Sequence, residues 1–172
     1  MSGFMFGGSA LTLDVGVINR TGGAVTEGMV LAIELDDGTA ANNDGFRAQR
    51  PVVATGNPEM LVTAHGAALV PSGQSIPDGE NLILRVVGPC KVRVDGAGQN
   101  IAIGDLLFTV HNNTDLQTGA AQPDFVTAST NEASNIVDVN AFLVLLKTKA
   151  VAREAADADD VLINAWMKGL PV

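Results

Sequence analysis

Short runs of alternating apolar residues, broken by glycine-rich turns, constrain this chain more than any other feature. Val15 and Val17 alternate, as do Met29, Leu31 and Ile33, and then Leu82, Leu84 and Val86. A period of two sends such residues to one face of a strand. Between the runs stand Thr21-Gly22-Gly23, Gly56-Asn57-Pro58, Pro71-Ser72-Gly73 and Pro77-Asp78-Gly79-Glu80, all turn signals. RPVVAT, MLVTAHGAAL and NLILRVV (50–87) read as further strands, and VLINAWM (161–167) as the last. No strand–helix–strand rhythm occurs, so the reading is an all-β sandwich or barrel and not a nucleotide-binding α/β fold. No internal repeat at a fixed period is visible.

Composition agrees. Hydrophobic residues make up 47% of the 172 and charged residues 17%, enough apolar mass for one domain with a real core. Aromatics are only 4%, with one Trp and no Tyr, so that core rests on Val, Ile, Leu and Ala. The 19 glycines fit many tight turns.

Two segments stand apart from the alternating pattern. Residues 1–13 place Phe4, Met5, Phe6, Leu11 and Leu13 among Gly3, Gly7, Gly8 and Ser9. Such a stretch builds no core by itself and reads as an arm whose apolar side chains are buried against another subunit or a larger surface. Residues 14–172 then form one β-rich domain, with an exposed loop at 36–50 and a polar insertion at about 109–145. Within the insertion, IVDVNAFLVLLK (136–147) is dense in β-forming residues and reads as a strand. KAVAREAADADD (149–160), rich in Ala with Glu and Arg, predicts one short helix near the C-terminus.

The search for chemistry returns little. His65 and His111 are the only histidines, no HExxH or GxSxG pattern occurs, and neither GGSA nor GAGQN fits a phosphate-cradling loop. His65 reads as a turn or interface residue and His111 as part of a polar loop. Cys90 is the single cysteine, which excludes an intrachain disulfide and a cysteine metal cluster. Asp36, Asp37, Asn42, Asn43 and Asp44 offer oxygen ligands without the spacing of a calcium loop, and so do Asp157, Asp159 and Asp160. Both groups read as solvated acidic loops.

KVRV, DGAG and NIAIGDLLF (91–108) together predict a hairpin, with Val92, Val94, Ile101 and Ile103 filling a barrel. A lipoyl or biotinyl carrier would need a lysine at that turn, but the nearest, Lys91, lies back in the strand. The reading is therefore of a protein that is not an enzyme and uses no cofactor or metal.

The charge balance, 10 Lys and Arg against 19 Asp and Glu, gives −9 and argues against direct nucleic-acid binding. No segment reaches the ~20 apolar residues of a membrane helix. The N-terminal residues lack the early basic charge of a signal peptide, so a soluble protein made in a cytoplasm is expected.

Several stretches carry a resemblance. VINRTGGAVTEGMVLAIEL (17–35) resembles the opening strands of tailed-phage capsid decoration, or cement, proteins. IPDGENLILRVVGPCKVRVDG (76–96) with NIAIGDLLF (100–108) resembles their central barrel, and 149–167 their closing helix and strand. The loop at 36–50 and the insertion have no counterpart in that pattern. The resemblance implies a small barrel or β-tulip, with a jelly roll left open. It further implies a mechanical role on the outside of an icosahedral head, with the major capsid protein as partner and a homotrimer as the assembled form. Assembly would take place in the host cytoplasm, and the arm would add a strand or wedge to a neighbouring subunit. Two other classes fit the residues less well: a ligand- or receptor-binding β-sandwich of a virion, which expects exposed aromatic platforms, and a small β-barrel enzyme.

Overall fold

The alternating segments become strands because period-two residues can bury one face, and in the computed structural model they bury it around two cores. The structure describes residues 12–35, 45–51, 64–95, 100–109, 114–118, 148–158 and 160–168. The strands are β1 (Leu13–Asn19), β2 (Val25–Thr26), β3 (Val30–Leu35), β4 (Phe46–Gln49), β5 (Ala64–Ala68) and β6 (Ser75–Ile76). β7 (Asn81–Val94), β8 (Leu106–Phe108), β9 (Gln117–Thr118), β10 (Ala150–Ala152) and β11 (Val161–Lys168) complete the set. The fold is all-β, with no helix among the described residues.

Five strands close a small barrel in the order β1–β4–β3–β5–β7, with β7 returning to pair with β1. The β1–β4 pair is parallel and the others in the ring are antiparallel. Closure removes sheet edges that would otherwise template aggregation. The same sheet then continues from β7 through β11, β10 and β8 to β9.

One 14-residue strand, β7, serves both parts. Its first half pairs with β1 and β5, and from Val87 to Val94 it pairs with β11. Past β9 the sheet comes back to the end of β7 through a parallel bridge between Leu116 and Val94. Val17, Leu31, Ala48, Leu82 and Leu84 fill the first core, and Val92, Val94, Leu107, Leu116, Ile163 and Met167 the second. Neighbouring residues on β3 and β5 split between the two: Val30 and Ala67 belong to the second core, Leu31 and Ala68 to the first. β3 and β5 thus form a wall buried on both sides.

Four expectations change here. The helix predicted over 149–160 is instead strand β10 followed by bends and an Ile101–Ala156 bridge. Ala150 pairs with both Leu107 and Met167, so tertiary pairing overrides alanine's helix preference. The 91–108 unit is not a hairpin, because β7 and β8 are separated in the sheet by β11 and β10. Val92, Val94 and Ile101 are buried, but Ile103 sits on a turn and is 70% exposed. The loop expected over 36–50 contains β4, whose Ala48 lies in the first core. Within the supposed polar insertion, Leu116 is fully buried. The strand expected at 136–147 lies outside the described residues.

Candidate interaction surface

The turn after β1 is held by one buried side chain. The Asn19 amide donates to the carbonyls of Gly23 (2.9 Å) and Ile76 (3.0 Å). Its Oδ1 accepts from the Thr21 amide (3.1 Å) and hydroxyl (2.8 Å). The Gly22 amide donates to Asp78, and the Gly79 amide to the Asn19 carbonyl. The Asn-Arg-Thr-Gly-Gly segment therefore knots β1 to the β2–β6 ribbon and the 77–80 turn, and its chemistry is spent on architecture.

Surface character concentrates on the outer face of β7 and β1 and on Leu69, just past the end of β5. Alternation along β7 turns Leu82, Leu84 and Val86 inward and leaves Ile83, Arg85 and Val87 on the other face. Ile83 is 53% exposed, Leu13 49% and Leu69 37%. The Leu69 amide donates to the Ile83 carbonyl, which places the two side by side. Across from Ile83 stands Gly16, where an added Cβ would meet nothing within 4 Å, so this flank of the isoleucine is uncovered.

Arg85 crosses the strip and grips Asp14 with two bonds, 2.6 Å from Nε and 2.9 Å from Nη2, while Nη1 reaches the Pro89 carbonyl at 2.8 Å. The hydrogen bond from Arg85 holds the Asp14 carboxyl below its usual range. Beside the strip a groove of about 440 Å³ is lined by Leu69, Pro71, Arg85, Cys90, Lys91 and Glu27, the last two 3.4 Å apart as an ion pair. Burial pushes the Cys90 thiol up to about 12, against the pull of Arg85, so at neutral pH it is a protonated, unreactive group.

A second charged cluster lies near the C-terminal end of β7. Arg93 pairs with Asp160 and donates to the Glu27 carbonyl. Asp115, half-buried nearby, has its carboxyl pushed up by burial first and by Asp160 second. Arg93 offsets the charge of Asp160 directly and that of Asp115 in part.

The residues singled out in the sequence fall as follows. Leu13 opens β1, opposite Val87, and is separated from Ile83 by the Asp14–Arg85 pair. Phe4, Met5, Phe6 and Leu11 lie outside the described residues, as do His111, the 36–44 acidic stretch and Asp159. His65 is not a turn or interface residue: it is buried in the middle of the structure on β5, the strand walled in on both sides. Asp157 and Asp160 are exposed. Among the described residues no group of three or more His, Cys, Asp or Glu is arranged to hold a metal ion. The NLILRVV alternation sets Ile83 on the face opposite Leu82 and Leu84, whereas nothing in its local sequence marks Leu69 as a surface contact.

Comparison with known proteins is sparse. No family model matches the chain, and no curated protein does. Among solved structures, the chain is similar to the head fiber gp8.5 N base in bacteriophage phi29, at 12% identity and a TM-score of 0.48. That match covers 92% of this chain and 95% of the other.

Proposed function

We propose that this chain is a structural protein of a phage virion, a decoration protein that binds the outer surface of an icosahedral head and stiffens the shell. The observation that carries the reading is the resemblance of 17–35, 76–96, 100–108 and 149–167, in that order, to capsid decoration proteins. What the residues do in the fold supports it: the Asn19 knot and the shared strand β7 make a rigid platform. The platform then presents exposed apolar side chains on an otherwise acidic chain. In this role the protein performs no catalysis. It works by occupying sites between shell subunits, self-associated so that several modest contacts act together through effective concentration. The major capsid protein is the partner.

The experiment uses heads stripped of this protein. They should release packaged DNA at lower temperature than intact heads, and added pure protein should restore the difference. Restoration with no protein bound, or binding with no change in stability, defeats the proposal.

A further inference from the structure

We infer that the apolar strip of Ile83 and Leu69, with the groove beside it, seats residues 1–11 of a second copy of this chain. The inference rests on the self-association in the function proposed above and gives that contact its residues. The strip is open because Gly16 supplies no side chain over Ile83. It is continuous with the 440 Å³ groove through Leu69 and Arg85, which line both. The charges beside it are already matched, Asp14 with Arg85 and Glu27 with Lys91, so an apolar occupant would bury no unpaired charge there.

The N-terminal segment has the matching chemistry. Residues 1–13 contain no Asp, Glu, Lys or Arg, and Phe4, Met5 and Phe6 supply three large apolar side chains in a row. In a chain of net charge −9, an uncharged segment is the part that approaches a second copy with least repulsion.

Direction favours a neighbour, because the segment reaches its own strip only by reversing its course. β1 runs from its Val87 end toward Ile83, so the chain preceding Leu13 arrives from the side away from Ile83 and Leu69. The seven residues from Phe6 to Leu13 reach ~23 Å when extended, at ~3.3 Å per residue, enough to carry the phenylalanines onto an adjoining molecule. The contact is head-to-tail, a segment of one copy on the strip of the next, and it closes into a ring when the rotation between copies allows.

The test uses the full chain in solution, without heads, so its failure is separate from any failure to bind a shell. Light scattering coupled to size exclusion is run on wild type, on Leu69→Ser/Ile83→Asp, and on Phe4→Ser/Phe6→Ser. Circular dichroism checks the fold, and the second variant changes no residue of the barrel. Wild type is expected to be oligomeric and each variant monomeric. Mixed together, the two variants should form a two-chain species, since one keeps the segment and the other keeps the strip. A monomeric wild type, a variant that retains the wild-type mass, or a mixture that stays monomeric overturns the inference.

Discussion

Replacing Asn19 by Ala tests whether the turn after β1 is the knot that the hydrogen bonds describe. The substitution deletes two donated and two accepted bonds. The Thr21 hydroxyl, released from Asn19, can turn its one hydrogen to the Gly23 carbonyl 3.0 Å away, so the Ile76 carbonyl loses most. At ~1 kcal/mol net per bond, with some recovery by water, the loss is about 3 kcal/mol. For a domain of this size that lowers the melting temperature by roughly 6–12 °C.

Asn19→Asp sharpens the test. It keeps the shape and the accepting oxygen but points a carboxylate at two carbonyls in a buried site. The folded-state carboxyl is then pushed up from its ordinary value near ~3.9, so the variant is least impaired at acid pH and loses stability as pH rises through and above that value. Urea unfolding at acid and neutral pH, followed by circular dichroism, measures both effects. An Asn19→Ala loss below ~1 kcal/mol, or an Asn19→Asp penalty independent of pH, would mean that the Asn19 side chain does not hold the turn.

Three further outcomes follow from the packing. Gly28 has φ +77°, and an added Cβ would lie 3.0 Å from the Arg93 nitrogen, whereas Gly22 has φ +75° with open space around it. Gly28→Ala should therefore destabilise by ~1–3 kcal/mol more than Gly22→Ala in the same urea assay, by forcing apart β7 and the β2–β3 connection. Lys149 is buried and its ammonium is lowered to about 8 by desolvation, so the unfolded chain binds the extra proton between about 8 and the ordinary 10.5. Stability should rise with pH across that window, and Lys149→Met should flatten the rise in unfolding curves. Cys90 should react with iodoacetamide at pH 8 far more slowly in the folded protein than in urea, as a mass-spectrometric time course would show.

The strand pattern was legible because alternation is a local property: the runs around Val17, Leu31, Leu84 and Ile163 all became core. Pairing was not legible. The 91–108 unit looks like a hairpin by every local rule, yet β7 takes β11 as its partner, a choice made by residues some 70 positions later. KAVAREAADADD has helix composition, but its alanines are small enough to let β10 slot between β8 and β11, and nothing within the segment announces that. His65 reads as a turn residue beside Gly66 until β5 is seen as a wall between two cores. Of the candidate surface, Leu13 was singled out from its arm-like context, whereas Ile83 becomes meaningful only once Gly16 is placed across from it.

A decoration role is decided by where the protein resides in cells that produce it. A lysate is separated on a density gradient, and the particle fraction is probed with gold-labelled antibody against the barrel. A decoration protein sediments with icosahedral heads at a fixed ratio to the capsid subunit, with gold on the outside of intact particles. Protein confined to the soluble fractions, or label appearing only after particles are broken, contradicts that role.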